Sequence, residues 1–197
     1  MQRATFEEPF KKFDNWLKMA IDNDKIIEPT AMCLSTVDEF SAPSSRMVLL
    51  KKNDERGFCF FTNLTSRKGK EIVQNKNASL CFYWGILGKQ IRIEGVLEPV
   101  TPKEADDYFA TRRNDSKIGA WASKQSCEMS DWSEFEARLQ KVTQDFEGQE
   151  VARPPFWSGF RLVPKRIEFW QEGEFRIHRR EVYESDNNEW IVKKIYP

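Results

Sequence analysis

The chain has 197 residues, and its 31 Lys and Arg side chains balance 31 Asp and Glu side chains, so that the formal net charge is zero. This length is typical of a single domain with its own core, and the balanced charge argues against a general nucleic-acid-binding surface. Aromatic residues make up 13% of the chain, a proportion that favours a packed core and argues against disorder.

The predicted elements begin with a helix between Phe6 and Asp24, where apolar residues recur at three- and four-residue spacing. Short windows rich in β-branched and aromatic residues then predict strands. These strands are Ala31 to Val37, Arg46 to Lys51, Phe58 to Thr62, Ser79 to Tyr83, Gln90 to Pro99, Gly159 to Val163, Arg166 to Gln171, Phe175 to Tyr183 and Trp190 to Tyr196. Apolar and polar residues alternate in the strand from Gln90, so one of its faces is expected to be in water or to line a site.

Two further helices are predicted from the residues that would cap them. Thr101 and Glu104 form a capping box, with Pro102 at the first helical position, and open a helix that runs to about Arg112. Ser130 opens another helix. The buried stripe of that helix is expected to contain Trp132, Phe135, Leu139, Val142 and Phe146.

The series of short strands with few helices favours a fold that is mainly β, an antiparallel barrel with helical decoration rather than a parallel sheet. No repeat or break in composition divides the sequence, so residues 1–197 are predicted to form a single domain. Within it, residues 1–27 are expected to form an N-terminal helical segment, and residues 28–197 the barrel with its helical insertions.

Several common types of site are excluded by the motifs that the sequence lacks. Its four cysteines are more than twenty residues apart and His178 is its one histidine, which argues against a zinc site, and no metal is expected. Neither glycine-rich phosphate motif occurs, so a bound phosphate would be held mainly by Arg and Lys side chains. No apolar run approaches a membrane span and no signal peptide is visible, so a cytoplasmic location is expected.

Two groups of basic residues could bind anions. Arg67 and Lys68 follow a predicted strand and lie in the first turn of a helix that Thr65 or Ser66 would cap, where free backbone N–H groups attract anions. A solvated basic turn is the alternative. Arg46 and Lys51 bracket an apolar strand, and in a regular strand they would point to opposite faces and serve different groups. Two cations that reach solvent from the strand ends would give the same pattern.

Two more groups combine cations with other polar side chains. Tyr108 and Arg112 are four residues apart on the capped helix and Ser116 lies just beyond it, a set that suits a phosphate ester unless it is surface decoration. In the strand from Phe175, alternation would place Arg176, His178 and Arg180 on one face. Guanidinium groups flanking an imidazole should repel unless an anion lies opposite, although a solvent-exposed histidine remains the alternative.

Seven segments of the sequence contain or adjoin these groups. In chain order they are RMVLLK, FFTNLTSRK, DSKIGAW, SKQS, FWSGFRL, RIEFWQ and FRIH. Their order resembles that in pyridoxamine/pyridoxine 5′-phosphate oxidases, over most of the chain from about Glu28 to Pro197. The resemblance implies an FMN-binding split β-barrel and a homodimer with FMN at the subunit interface. It also implies oxidation of pyridoxine or pyridoxamine 5′-phosphate to pyridoxal 5′-phosphate by dioxygen. From the balanced charge and the short apolar runs, no nucleic-acid or membrane partner is expected.

The resemblance further implies roles for individual residues. The expected FMN contacts are Arg46, Met47, Val48, Leu49, Leu50, Lys51, Phe61, Thr62, Arg67, Lys68, Gln90, Gln125, Ser126, Trp170 and Arg180. Within this set, Arg67 and Lys68 are expected to hold the flavin phosphate. The expected substrate-phosphate contacts are Lys51, Tyr108, Arg112 and Ser116. Arg176 and His178, which correspond to the pair that holds the pyridine ring against the flavin, are the catalytic candidates.

The chain also departs from the family pattern. Arg113 stands where Pro is usual, Arg179 where an acid is usual, and Lys193-Lys194 replace Arg-Leu. The segment from Met1 to Glu8 has one basic residue and no tyrosine, unlike the segment that folds over the substrate in other members. Three alternatives stay open: a related split-barrel flavoenzyme such as a phenazine-pathway oxidase, a non-catalytic carrier of FMN or pyridoxal phosphate, and a nucleic-acid-binding barrel.

Overall fold

Ten antiparallel strands organise the chain in the computed structural model, which describes residues 2–197. The strands are β1 (Gln2–Thr5), β2 (Ala31–Val37), β3 (Pro43–Leu49), β4 (Lys52–Asp54), β5 (Gly57–Asn63), β6 (Asn77–Trp84), β7 (Lys89–Pro99), β8 (Trp157–Gln171), β9 (Arg179–Asp186) and β10 (Glu189–Ile195). Five α-helices join or cover them: α1 (Glu8–Ile21), α2 (Arg67–Gln74), α3 (Pro102–Ala110), α4 (Asn114–Ala122) and α5 (Trp132–Asp145). The predicted fold class, mainly β and antiparallel with helices, is therefore confirmed.

The long strand β8 is where the sheet divides. The strand order is β1-β10-β9-β8-β7-β6-β2-β3, and β5 pairs with β8 outside this path. β5 pairs with the first part of β8, between Trp157 and Leu162, whereas β9 pairs with the last part, from Arg166 to Gln171. Because β7 pairs along both parts, the two windows predicted as separate strands form one continuous strand. β3 lies at an end of the path and is an edge strand.

The core lies between the sheet and α1, which was predicted from its apolar spacing. Phe13 is fully buried, and its ring centroid lies 4.8 Å from that of Phe58 on β5 and 5.2 Å from that of Phe82 on β6. Burial of each such side chain contributes about 1.5–3 kcal/mol relative to exposure. The N-terminal segment contains a strand as well as a helix, because β1 pairs with β10 and so joins the sheet.

The helix α5 corrects one prediction. Its apolar stripe exists in sequence, but none of its residues is buried, and Trp132 is 69% exposed. The physical reason is that α5 packs on α4 rather than on the sheet, so it has a neighbour on one side only. Asp131, rather than Ser130, caps it by accepting a hydrogen bond from the Ser133 backbone at 2.7 Å. None of the helices in residues 2–197 combines the length and apolar character needed to cross a membrane.

The segment before β9 corrects a second prediction. Glu174–Arg176 form a short 3-10 turn, and β9 begins only at Arg179. Phe175 and Arg176 have φ angles of 53° and 63°, in the left-handed region that side chains usually avoid. The alternation expected from Phe175 onward is therefore wrong, because two left-handed residues break the strand pattern.

The four cysteines of the chain are free thiols in different environments. Cys59 on β5 is buried, and burial raises the pKa of its thiol to about 11. Burial also raises the pKa of Cys81. Cys127, in the loop between α4 and α5, is exposed.

Candidate active site

A cavity of about 1180 Å³ opens beside the edge strand β3 and collects many of the predicted site residues. Its walls come from β3, the end of β5, the start of α2, the junction of α3 and α4, and the loop after α4. The predicted residues that line it are Arg46, Met47, Val48, Leu49, Lys51, Phe61, Thr62, Arg67, Lys68, Tyr108, Arg112, Ser116, Gln125 and Ser126. This volume is ample for a ligand of the size of a mononucleotide.

The start of α2 forms one corner of the cavity. After β5, the Asn63 side chain accepts hydrogen bonds from the backbone and hydroxyl of Thr65 at 2.8 and 2.7 Å, which turns the chain. Ser66 then caps α2 by accepting from the Gly69 backbone, as one of the two predicted capping residues. This turn places Arg67 and Lys68 in the first helical turn, at the wall of the cavity.

Lys68 is the buried cation of this corner, with 8% of its surface exposed. Its Nζ donates to Oε1 of Gln125 at 2.9 Å and to Oγ of Ser66 at 3.4 Å, both neutral acceptors. Burial lowers the pKa of Lys68, and the nearby Arg46 adds to that effect. Because a buried ammonium without a carboxylate partner is costly, this corner has the chemistry of a site for an anion.

Glu71 lies beneath the same corner and binds two of its cations. Its carboxylate accepts from Arg46 at 3.0 Å and from Nε of Arg67 at 2.8 Å. The hydroxyls of Thr36 and Ser44 also donate to it. Burial alone would raise the pKa of Glu71, but these four donors outweigh it and lower the pKa to about 2. Glu71 is therefore charged at any ordinary pH.

The positions of Arg46 and Lys51 differ from the prediction. β3 ends at Leu49, and the backbone N–H of Lys51 donates to Cys59 of β5 rather than continuing the pairing with β2. Strand alternation therefore does not extend to Lys51, and both cations line the same cavity instead of serving opposite faces. Leu50, between these segments, is buried in the core and does not line the cavity.

Stacked aromatic rings form a second wall. The ring of Phe61 stacks on Tyr108 with centroids 4.2 Å apart, and the Trp157 ring lies nearly parallel to both, 5.5 Å from Phe61 and 6.1 Å from Tyr108. The guanidinium of Arg112 lies 4.9 Å from the Trp157 ring and donates to the backbone oxygen of Ser116 at 3.0 Å. Burial lowers the pKa of Arg112. The expected group of phenol, guanidinium and hydroxyl thus shares one cavity, although α3 ends before Arg112.

The remaining predicted residues do not line this cavity. Gln90 on β7, Trp170 on β8 and Arg180 on β9 are direct neighbours across three strands and so share a sheet face. His178 lies next to this row, with its ring centroid 4.6 Å from that of Trp170. Arg176, in the left-handed turn, also lies outside the cavity. Since β2 and β6 separate β3 from β7, one chain carries the predicted site as two separate halves.

Some residues of the cavity were not predicted. Ser44, Ser123 and Trp157 line it without any spacing signal that would single them out. Glu71, which lies behind the cavity wall, was also not predicted, although the sequence carries a signal for it. It lies four residues after Arg67, and an acidic and a basic residue at that spacing pair on a helix.

The family profile described as pyridoxamine 5′-phosphate oxidase matches residues 22–145, and the profile described as the pyridoxine 5′-phosphate oxidase C-terminal dimerisation region matches residues 157–197. The chain belongs to the pyridoxamine 5′-phosphate oxidase family. It is 44% identical over 191 residues to the pyridoxine/pyridoxamine 5′-phosphate oxidase of Zymomonas mobilis. That alignment covers 97% of this chain and 99% of that protein. The corresponding protein of Myxococcus xanthus is 50% identical over 171 residues, 87% of this chain and 83% of that one.

Solved structures of the family share the fold. PhzG from Burkholderia lata, crystallised with tetrahydrophenazine-1-carboxylic acid, has a TM-score of 0.90 and 34% identity, over 96% of this chain and 92% of that one. A pyridoxamine 5′-phosphate oxidase-related, FMN-binding protein from Nostoc punctiforme has a TM-score of 0.76 and 17% identity, with coverage of 96% and 98%. At that identity the second likeness shows the fold alone.

The two profiles of this oxidase family divide the candidate site much as the structure does. The predicted cavity residues, which run from Arg46 to Ser126, fall within the first match. Trp157, which also lines the cavity, falls within the second. Trp170, Arg176, His178 and Arg180 fall within the dimerisation region, while Gln90 pairs with that region through β8.

Proposed function

We propose that this member of the family is an FMN-dependent oxidase that converts pyridoxine or pyridoxamine 5′-phosphate to pyridoxal 5′-phosphate, with dioxygen as acceptor. The observation that carries the proposal is one cavity with two distinct cationic groups. Arg46, Arg67 and Lys68 form the first, and Lys51 and Arg112 belong to the second. Since FMN and the substrate each carry a phosphate monoester, each group has one phosphate to bind.

The residues of the first group suit the flavin phosphate. Buried Lys68 has only neutral acceptors, and Arg67 adds a guanidinium whose terminal nitrogens can bind phosphate oxygens in pairs. The rest of the flavin would lie along Arg46 to Leu49 of β3 and Lys51 beyond it, and against Phe61, Thr62, Gln125 and Ser126. FMN, when bound, supplies the acceptor for the hydride that leaves the substrate carbon.

The second group suits the substrate phosphate. Arg112 is held between Trp157 and the backbone of Ser116, and Tyr108 and Lys51 complete a set of donors on the same wall. Arg176 and His178 would hold the pyridine ring, and Gln90, Trp170 and Arg180 would complete the flavin contacts.

We propose that a second copy of the chain supplies those five residues, so that each site lies at the interface of a homodimer. Their separation from the cavity within one chain supports this arrangement, as does the family dimerisation region that contains four of them. A dimer related by a twofold axis would form two equivalent sites.

The proposal is tested by assaying the purified chain with pyridoxine 5′-phosphate in air while recording its visible spectrum, the aldehyde product and peroxide. We expect a yellow dimer that forms both products, and much weaker turnover of unphosphorylated pyridoxine. A colourless chain that does not take up added FMN would contradict the proposal, and so would flavin binding without turnover, which would indicate a carrier.

The likeness to PhzG supports a second candidate, oxidation of a phenazine precursor. Tetrahydrophenazine-1-carboxylic acid should therefore be offered in the same assay. Rapid oxidation of that compound without oxidation of the B6 phosphates would favour the second candidate. We expect the opposite preference, because the singly charged carboxylate of that compound would satisfy Arg112 and Lys51 less fully than a phosphate dianion.

A further inference from the structure

Glu71 is a buried carboxylate that touches the proposed flavin-phosphate site from behind. It lies on the inner face of α2 and is 3% exposed, although it carries a full charge. Its hydrogen-bond donors come from three elements, with Thr36 on β2, Ser44 and Arg46 on β3, and Arg67 on α2 itself. A buried charge that is so fully paired fixes the positions of its partners.

The hydrogen bonds donated by Arg46 and Arg67 show which of their guanidinium nitrogens are already occupied. Arg46 uses one terminal nitrogen for the Leu34 carbonyl and Thr36 and the other for Ser44 and Glu71, which leaves only its Nε free. Arg67, in contrast, donates to Glu71 through its Nε, at 2.8 Å. Both terminal nitrogens of Arg67 thus remain for the forked contact that a guanidinium makes with phosphate.

The charges of the corner also match a phosphate. Arg46, Arg67 and Lys68 carry three positive charges and Glu71 one negative charge, a net of two, which equals the charge of a phosphate monoester dianion. Glu71 also raises the pKa of Lys68 against the effects of burial and of Arg46, and so favours the ammonium form.

We propose that Glu71 is a positioning residue for the cofactor phosphate: it orients the fork of Arg67 and holds Arg46 in place. This inference rests on the proposed function, because it takes the phosphate to be that of FMN. It predicts an effect opposite to simple electrostatics, in which removal of a carboxylate beside an anion site would strengthen binding of the anion.

The test is titration of the full chain, stripped of flavin, with FMN and with riboflavin, which lacks the phosphate. Glu71→Gln should weaken FMN binding about ten- to hundredfold, as expected for loss of charge-assisted contacts, and should change riboflavin binding by less than about twofold. Glu71→Asp keeps the charge but is one methylene shorter, so we expect it to weaken FMN binding too. In an Arg67→Ala background, Glu71→Gln should have a smaller effect, because the two residues act together.

Asp54→Asn is the matched control. Asp54 accepts from Arg161 at 3.0 Å in an ion-pair network that does not line the cavity, so its removal should leave the binding of both flavins unchanged. Tighter FMN binding by Glu71→Gln would overturn the inference, as would an equal loss for FMN and riboflavin or an unchanged affinity. If Glu71→Gln does not fold, unchanged FMN binding by Glu71→Asp overturns it. Failure of the unaltered chain to bind FMN would instead overturn the proposed function.

Discussion

Arg112 is held in place before any ligand binds. Its guanidinium lies over the Trp157 ring and donates to the Ser116 backbone, and both contacts restrict a side chain that is otherwise flexible. A cation fixed in this way loses little further entropy when it binds a phosphate, which favours affinity.

Replacement of Arg112 should therefore separate substrate binding from flavin binding. Arg112→Ala is expected to weaken the apparent affinity for pyridoxine 5′-phosphate about ten- to hundredfold while the flavin content stays unchanged. Steady-state kinetics and the flavin absorbance of the purified variant measure the two effects. Lys103→Ala, which removes an exposed cation of α3 paired with Asp107, is the control and should change neither. A parallel loss of flavin by Arg112→Ala would contradict the assignment.

The low pKa of Glu71 makes its contribution to stability depend on pH. Its pKa falls from an ordinary value of 4.5 to about 2 in the folded chain, so its contribution is complete above about pH 4.5 and is lost as pH falls towards 2. We expect the difference in unfolding free energy between the flavin-free parent and Glu71→Gln to be larger at pH 7 than at pH 3. Urea denaturation at pH 7, 5, 4 and 3 measures it, and a difference that does not vary with pH would contradict the assignment.

The start of α2 depends on close contact between two backbone segments. A Cβ atom at Gly69 would lie 2.2 Å from the carbonyl oxygen of Leu64, well inside any allowed contact. Since both atoms belong to the backbone, relief requires that α2 or the preceding turn move. That movement would displace Arg67 and Lys68, which lie in the same helical turn.

Gly69→Ala should thus lower both stability and FMN affinity. We expect a loss of about 1–3 kcal/mol in unfolding free energy, as for other overpacked sites, and weaker FMN uptake. Gly119→Ala on α4 is the matched control for stability, because no atom lies within 4 Å of its added Cβ, and alanine in a helix is favoured by about 1 kcal/mol. Urea denaturation of the flavin-free chains compares them, and equal stabilities would show that the Leu64 contact is not limiting.

The elements that could be predicted are those in which the sequence pattern of apolar residues coincides with the residues that are buried in the structure. The limits of β2 agree with the prediction, and β5, β6 and β7 agree within two residues, because alternation or apolar runs mark their buried faces. β1 and β4 are short and polar, so only pairing with β10 and β5 makes them strands. The apolar spacing of α5 correctly predicts a helix, but it does not show whether a second layer covers that helix.

The candidate site was predictable to a similar extent. The cations near α2 and the group around Arg112 gather because short loops join their elements. The turn at Phe175 and Arg176 could not be anticipated, because ordinary side chains give no sign that they will adopt left-handed backbone angles. Arg46 and Lys51 share a cavity because β3 ends early, which strand periodicity does not show.

At the scale of the whole molecule, the two halves of the proposed site lie on different strands of the same sheet. The edge strand β3 carries the cavity, whereas Arg180 lies on β9, five strands further along the path. Within one chain, Arg180 and its neighbours Gln90 and Trp170 do not line that cavity. A twofold dimer would bring each half next to the complementary half of the other chain.

Mixed dimers test this arrangement. Arg112→Ala damages the cavity half and Arg176→Ala the other half, so at low substrate concentration each homodimer should retain only a small fraction of the parent activity. In a purified heterodimer of the two, one site would contain both changes and the other neither, and we expect about half of the parent activity. A heterodimer of Arg112→Ala with Lys51→Ala, both in the cavity half, should show no rescue. Absence of rescue in the first heterodimer would contradict a shared site.

The placement of the cysteines bears on how long such an enzyme would survive its own reaction. An oxidase that passes electrons to dioxygen releases peroxide, which attacks thiolates in preference to thiols. Burial keeps Cys59 and Cys81 in the protonated form, whereas Cys127 is exposed, one residue after the cavity residue Ser126. Repeated turnover is therefore expected to convert Cys127 to a sulfenic acid sooner than the protected Cys59 and Cys81, so that oxidative damage would begin at the surface.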